Sequence, residues 1–228
     1  MSNRPYPVAI LAGGMASRLL PLTAVVPKSM LMFNDEPFIG HQLRLLHKQG
    51  ISRVVICIGH MGGLIRNYVG TGKGYGIGVL YSEDGLQPLG TAGAVKKALR
   101  LLGEKFFVLY GDSYLTCNFA DVQRHYEHEK CLGLMTVYHS KNSSGRDNVK
   151  CANGKVVEYG NRMWHVDYGL SIFDKQVFKL LLPNQGDMGV IYRQLALNAE
   201  LTAYEIHERY HEIGSLKGIY DLRKELQK

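Results

Sequence analysis

Pro7-Val8-Ala9-Ile10-Leu11-Ala12-Gly13-Gly14 decides the fold. Its first six residues form an unbroken apolar run, short and bounded by a turn signal, which reads as a buried strand. The glycine pair then releases the backbone into a turn. The same alternation recurs downstream. Ile39, Leu43, Leu45 and Leu46 have helical spacing that stops at Gly50, a helix C-cap residue, and Arg53 to Gly59 is a second buried strand. A helix around Leu64 to Val69 leads into the glycine-rich turn region 70–78, and Ile77 to Tyr81 makes a third strand. Thr91 to Leu102 is an amphipathic helix, and Phe106 to Tyr110 is an apolar strand closed by Gly111-Asp112. Strands too apolar to face water, alternating with helices, predict an α/β fold with a parallel sheet covered on both sides.

The second half is less regular. Gly133 to Tyr138, Asn148 to Ala152, Val156 to Tyr159 and Tyr168 to Phe173 read as strands, with Asn153-Gly154 as a type I′ hairpin turn. Helices are expected over Lys175 to Leu182 and Met188 to Ala199, then a strand near Ala203 to Ile206. A closing helix starts at Ser215, a good N-cap residue.

With 228 residues and 46% hydrophobic content the chain can support one core, so a single domain over 1–228 is expected. No apolar stretch approaches the roughly 20 residues of a membrane span, and Met1 to Pro7 lacks the features of a signal peptide. A cytoplasmic location, with no membrane partner, follows as an expectation. Cys57, Cys117, Cys131 and Cys151 are widely spaced, without metal or disulfide patterning, and read as reduced, mostly buried hydrophobes. A net charge of +7 suits an anionic partner. Its basic residues are scattered instead of being gathered with aromatics, which favours small polyphosphates over nucleic acid.

Ligands of open α/β sheets bind at the carboxyl ends of the strands. After the first strand stands Leu11-Ala12-Gly13-Gly14-Met15-Ala16-Ser17-Arg18-Leu19, then Pro21-Leu22-Thr23 and Pro27-Lys28-Ser29-Met30-Leu31. Glycines let backbone N–H groups turn toward a phosphate, and Arg18 and Lys28 supply positive charge. The Gly-Lys-Ser/Thr ending of a P-loop is absent.

This segment resembles the signature of the sugar-1-phosphate nucleotidyltransferases, L-A-G-G-x-G-T-R-L-x-P-L-T followed by P-K-P-x-L. Four further matches follow in order: Pro88-Leu89-Gly90-Thr91-Ala92-Gly93-Ala94, Gly111-Asp112-Ser113, Asp167-Tyr168-Gly169-Leu170, and Glu212-Ile213-Gly214-Ser215. The resemblance is to short members such as the mannose- and heptose-1-phosphate guanylyltransferases and the MurNAc-1-phosphate uridylyltransferases. It implies a Rossmann-like, mixed, mostly parallel sheet sandwiched by helices, with residues 1–115 as the nucleotide-binding half and 116–228 as the sugar-binding half and closing helix. Ala16 replaces the usual glycine, Ser17 the threonine, Ser29 the second proline and Glu212 the more usual aspartate. The acyltransferase β-helix of bifunctional relatives is not expected here, and only the transferase reaction is.

By resemblance, a sugar phosphate oxygen attacks the α-phosphorus of a nucleoside triphosphate in line with departing pyrophosphate, and catalysis is positioning plus charge stabilisation. Arg18, Lys28 and Asp112 are then catalytic, and Leu11, Ala12, Gly13, Gly14, Gly90, Thr91 and Gly111 bind the nucleotide. Asp112 and Glu212 hold Mg²⁺, and Asn148, Glu158, Asp167 and Gly169 meet the sugar. Asn148 and Glu158 also fit ordinary strand polar residues, and the Glu-Lys pair of many relatives gives way to Tyr159-Gly160-Asn161-Arg162. His60 reads as a solvated loop histidine and Trp164 as a packing residue. The Pro88 to Gly93 loop resembles that of guanylyltransferases, which makes GTP the favoured substrate over UTP. Three alternatives stay open: a uridylyl- or cytidylyltransferase, a phosphocholine-type acceptor caged by Tyr168 and Trp164, and a non-catalytic sensor. A homo-oligomer is possible.

Overall fold

The structure is a computed structural model that describes residues 4–139, 147–181 and 186–227. In chain order the elements are β1 (Val8–Leu11), β2 (Met32–Phe33), β3 (Glu36–Pro37), α1 (Phe38–Lys48), β4 (Arg53–Ile58), α2 (Gly62–Val69), β5 (Gly78–Glu83) and α3 (Gly90–Leu102). Next come β6 (Lys105–Tyr110), β7 (Ser113–Tyr114), α4 (Phe119–His128), β8 (Gly133–His139), β9 (Val149–Ala152), β10 (Lys155–Tyr159) and β11 (His165–Asp174). The last are α5 (Met188–Leu197), β12 (Leu201–Ile206), β13 (His211–Glu212) and α6 (Leu216–Glu225).

The apolar run that opens the sequence becomes β1, which pairs in parallel with β4 on one side and β6 on the other. A strand buried along both edges and on both faces has no position left for a polar side chain, which is why Val8 to Leu11 does not alternate. Successive side chains enter two cores. Val8 and Ile10 join Val54, Ile56 and Phe107 beneath α1 and α4, whereas Ala9 joins Val55 and Val108 beneath α3 and α5. Helices therefore cover both faces, as expected.

The main sheet runs β5-β4-β1-β6-β11-β8-β12-β10-β9. From β5 to β6 every pairing is parallel; β11 is antiparallel to both β6 and β8, β12 is parallel to β8, and the β9–β10 hairpin makes the far edge antiparallel. The chain moves outward from β1 through β4 to β5 and returns on the other side of β1 as β6. That reversal is a topological switch point, where an open α/β sheet leaves a crevice at its carboxyl edge.

Several elements differ from expectation. The third strand is Gly78–Glu83 because its ladder with β4 continues to Ile58↔Glu83, which carries the chain to Asp84 at the sheet edge. Lys175–Leu180 is a 3₁₀ helix, started by the Asp174 carboxylate accepting from Gln176 N–H at 2.9 Å, and residues 182–185 lie outside the described residues. Helix α4 is an addition to the expected elements, with local signals of its own: Asn118 caps it by accepting from Ala120 N–H at 3.0 Å, and Phe119, Val122 and Tyr126 form its buried stripe. Trp164 is exposed instead of packed. All four cysteines are free, with Cys57 and Cys117 buried and Cys131 and Cys151 half-buried. Among the described residues no helix is long and apolar enough to cross a membrane.

Candidate active site

A cavity of about 480 Å³ follows the carboxyl edge of the sheet, from the end of β5 past β4, β1 and β6 to the middle of β11. That volume lies in the range of small-molecule sites. Leu11, Ala12, Gly13, Gly14, Lys28, Gly90, Thr91, Gly111, Asp112, Asn148, Asp167, Gly169 and Glu212 all line it.

At the centre, β1 and β6 run so close that a Cβ on Gly111 would lie 2.3 Å from the Leu11 carbonyl oxygen, so only glycine fits there. This tight exit places Asp112 directly over the switch point. Lys28 Nζ donates to Asp112 Oδ2 at 2.8 Å, and both side chains are mostly shielded from water. Glu212 arrives from the other end of the chain. The β7–β13 ladder pairs Glu212 with Ser113, and Ile213 N–H donates to the Asp112 carbonyl at 2.9 Å. Gly214 completes the arrangement: a Cβ built on it would stand 3.2 Å from Glu212 Oε2 and 3.6 Å from Asp112 Oδ2. Its missing side chain keeps open a gap bordered by two carboxylate oxygens, a donor set suited to a hard divalent cation. Among the described residues no three His, Cys, Asp or Glu side chains are grouped closely enough to hold a metal alone. Mg²⁺ usually takes one or two carboxylates plus water and phosphate oxygens, so this pair fits it.

The far end is built around Asp167. Tyr110 Oη donates to Asp167 Oδ2 at 3.0 Å, Gly169 N–H donates to Oδ1 at 3.0 Å, and the Asp167 N–H donates to Asn148 Oδ1 at 2.9 Å. The bend in β11 that lets Gly169 N–H reach this carboxylate uses φ +98° at Gly169, a conformation side chains disfavour. Burial pushes the Asp167 carboxyl up to about 6, against the lowering effect of the two donors. Asn148 Nδ2 also donates to Tyr159 Oη at 3.3 Å, so the wall here is a tyrosine–amide–carboxylate network.

The family described as "Nucleotidyl transferase" matches residues 8–158, from the first residue of β1 nearly to the end of β10. The chain belongs to the nucleotidyl transferase family. It is an enzyme of the nucleotidyltransferase class. Over 174 residues it is 29% identical to a D-glycero-alpha-D-manno-heptose 1-phosphate guanylyltransferase of Campylobacter jejuni, covering 74% of this chain and 76% of that protein. It is 28% identical over 222 residues to a mannose-1-phosphate guanylyltransferase catalytic subunit beta of Dictyostelium discoideum, covering 91% of this chain but only 61% of that longer protein. Its fold matches the crystal structure of HddC from Yersinia pseudotuberculosis complexed with GMP-PN, with TM-score 0.83 at 20% identity over 97% of this chain and 99% of that one.

Within this nucleotidyl transferase, two expected site residues stand apart. Arg18 is exposed and outside the cavity lining. Its neighbour Leu19 is buried against Phe33, Phe38 and Ile213, and in the one-turn 3₁₀ helix Ser17–Leu19 that anchor turns Arg18 outward. Glu158 is exposed as well. Its neighbour Tyr159 faces inward onto Tyr192, 4.9 Å between ring centroids, and strand alternation then directs Glu158 away from the cavity, opposite Lys150. Arg162 and His60 are exposed and outside the lining too. Thr91 lines the cavity, but its Oγ1 already accepts from Met188 N–H at 2.9 Å, which ties α3 to α5. Asp84, Tyr110, Tyr159 and Tyr210 line the cavity and were not anticipated. Asp84, Tyr110 and Tyr159 stand at strand ends, the position the sheet rule singles out; Tyr210 carried no such signal.

Proposed function

We propose that this nucleotidyl transferase moves a nucleoside monophosphate from a nucleoside triphosphate, with GTP favoured, to a sugar 1-phosphate, giving a nucleoside diphosphate sugar and pyrophosphate. The observation that carries the reading is one continuous cavity with the glycine loop and the Lys28–Asp112–Glu212 group at its centre and the Asp167 network at one end. Triphosphate needs cationic and N–H donors, and a sugar needs converging acceptors and amides; both lie within one substrate's reach.

The acceptor's own phosphate oxygen is the nucleophile: it forms the new bond to the α-phosphorus as the α–β bridging bond breaks and the electron pair leaves with pyrophosphate. No enzyme nucleophile is called for. Cys57 lines the cavity, but burial pushes its thiol up to about 12, which leaves it protonated and inert at neutral pH. Among the described lining residues there is no histidine to activate a hydroxyl. Lys28 offers its charge to the phosphates at the reacting centre, and the N–H groups of the glycine loop orient them. Asp112 and Glu212 would hold Mg²⁺, which when bound supplies charge neutralisation of phosphate oxygens. Arg18 is assigned to the triphosphate, which requires its loop to turn inward when substrate binds.

The phosphocholine reading is weakened by Trp164, which is exposed outside the cavity, and by the carboxylate–amide character of the acceptor end. The sensor reading is weakened by the intact Lys28, Asp112 and Glu212 group. Pyrophosphate release from each nucleoside triphosphate, measured with a panel of sugar 1-phosphates and phosphocholine, tests the proposal. Release with phosphocholine alone, or with no acceptor in the panel, overturns it.

A further inference from the structure

Lys28 Nζ stands 2.8 Å from Asp112 Oδ2, and that oxygen is also one of the two carboxylate oxygens bordering the gap that Gly214 keeps open. One atom thus serves two cations: the lysine ammonium, and the divalent ion that the Asp112 and Glu212 pair fits. The contact is not a loose surface pairing. The Lys28 and Asp112 side chains are 17% and 27% exposed, so salt and water screen their attraction far less than that of an exposed pair. Both ends are set by the fold. Lys28 opens a 3₁₀ turn in which Met30 N–H donates to the Pro27 carbonyl at 2.8 Å and Leu31 N–H to the Lys28 carbonyl at 3.0 Å, while Asp112 follows the tight exit of β6.

Charge decides which cations this centre accepts together. Lys28 is the only cationic side chain among the described residues of the cavity lining, and it faces the two carboxylates of Asp112 and Glu212. Adding Mg²⁺ to the three gives a net positive centre, in which the ion and the ammonium compete for Asp112 Oδ2 and repel one another at close range. Taking the ammonium away instead leaves two carboxylates for one divalent ion, a neutral set. Mg²⁺ also gives up its waters reluctantly, so an oxygen already committed to an ammonium is a poor replacement for one. A triphosphate reverses the balance. Its anionic oxygens accept from the Lys28 ammonium and coordinate Mg²⁺, which leaves Asp112 Oδ2 to the ion.

We propose that Lys28 is a placeholder for the metal: its ammonium holds Asp112 Oδ2 until a triphosphate draws it away, so that the two carboxylates admit a divalent ion only together with the nucleotide. The inference rests on the nucleotidyl-transfer reading and adds a regulation to that site. The same ammonium that guards the carboxylate is the one delivered to the phosphates, so charge stabilisation is assembled only in the loaded site. A lysine suits the exchange. Its flexible stem and rotating ammonium can pass from a carboxylate to a phosphate, whereas a planar guanidinium is bound to one paired geometry.

Mn²⁺ binding without nucleotide, followed by loss of the free ion's electron paramagnetic resonance signal, tests this on the full chain. Lys28→Met, which removes the charge and keeps most of the length, is expected to bind Mn²⁺ roughly tenfold or more tighter than the wild type. Adding Glu212→Gln to that variant should abolish the gain, and Lys28→Arg, which keeps the charge, should show none. Thermal unfolding gives a second readout: Mg²⁺ alone should raise the Tm of Lys28→Met and leave that of the wild type unchanged. Equal Mn²⁺ affinity in the wild type and a folded Lys28→Met overturns the proposal, and so does a gain that survives Glu212→Gln. Should Lys28→Met fail to fold, the wild type decides: Mn²⁺ bound without nucleotide and lost in Glu212→Gln refutes the placeholder. In equilibrium dialysis the wild type is expected to retain Mn²⁺ only when GTP is also present. Failure to bind GTP with Mn²⁺ removes the transferase reading, whereas the arms without nucleotide judge Lys28 independently of it.

Discussion

Lys28, Asp112 and Glu212 act at the scale of single residues, and their proximity sets the sharpest expectation. Asp112→Asn or Glu212→Gln should lower kcat/KM by roughly 10²-fold or more with little change in Tm, because each removes charge needed in the transition state and neither supports a core. The double variant should be little worse than the worse single one, since groups that act as a unit are non-additive. Mg²⁺-dependent turnover of the three variants is the measurement; wild-type activity and metal dependence in Glu212→Gln would break the carboxylate pair. Ala16 offers a second residue-level test. It stands where the family signature has glycine, and it holds φ +50°, with Thr23 Oγ1 donating to its carbonyl at 3.0 Å. A left-handed alanine costs about 1–2 kcal/mol, partly offset by the greater unfolded freedom of glycine. Ala16→Gly should therefore raise stability by up to about 1 kcal/mol in chemical denaturation, and a clear loss of stability would contradict the strain.

At the scale of elements, α3 joins the two halves of the site. Thr91 Oγ1 accepts from Met188 N–H, and Ala92 N–H donates to the Gly186 carbonyl at 2.7 Å, so the start of α3 is bolted to the start of α5. Thr91→Val keeps the shape but strands the Met188 N–H, at a cost of about 1–3 kcal/mol. Thermal unfolding should register a Tm several degrees lower; an unchanged Tm would mean that water replaces the hydroxyl. The elements that carry this arrangement were partly legible. Strands β1, β4 and β6 and helix α3 announced themselves through apolar runs and glycine stops. β7 and β13 did not, because two residues are too few for any periodicity, and yet their pairing is what brings Asp112 and Glu212 together.

The whole molecule sets the environment of Asp167. β11 lies between β6 and β8, and burial in the cavity wall pushes the Asp167 carboxyl up to about 6, against about 3.9 unfolded. The folded state thus takes up the proton at higher pH than the unfolded state does. The group destabilises the fold progressively as pH rises from about 4 to about 6, and its penalty is constant above that, on the order of 3 kcal/mol. The difference in stability between wild type and Asp167→Asn, followed by denaturant titration from pH 4 to pH 7, should change across that window. A flat difference would mean that Asp167 titrates normally. If the ionised form accepts from sugar hydroxyls, KM for the acceptor should fall as pH passes about 6, and Asp167→Asn should abolish that dependence.

By itself the sequence determined the α/β class, the strand–glycine loop, the position of Asp112 after a buried strand and, through ordered motifs, the family. These depend on local pattern: runs, periods and turn residues within about a dozen positions. Only the tertiary structure decided which side chains meet. Arg18 and Lys28 read alike as basic residues near a glycine loop, but burial of Leu19 turns the first outward while the second reaches Asp112. Glu158 and Asp167 read alike as acidic residues in late strands, but strand alternation faces one to water and the other into the cavity. Asp84 stood out in no local pattern, and only the order of the strands set it at the far end of the same crevice. The reason is physical: which way a side chain points, and what it faces, depends on packing between segments remote in sequence, and no local pattern encodes that.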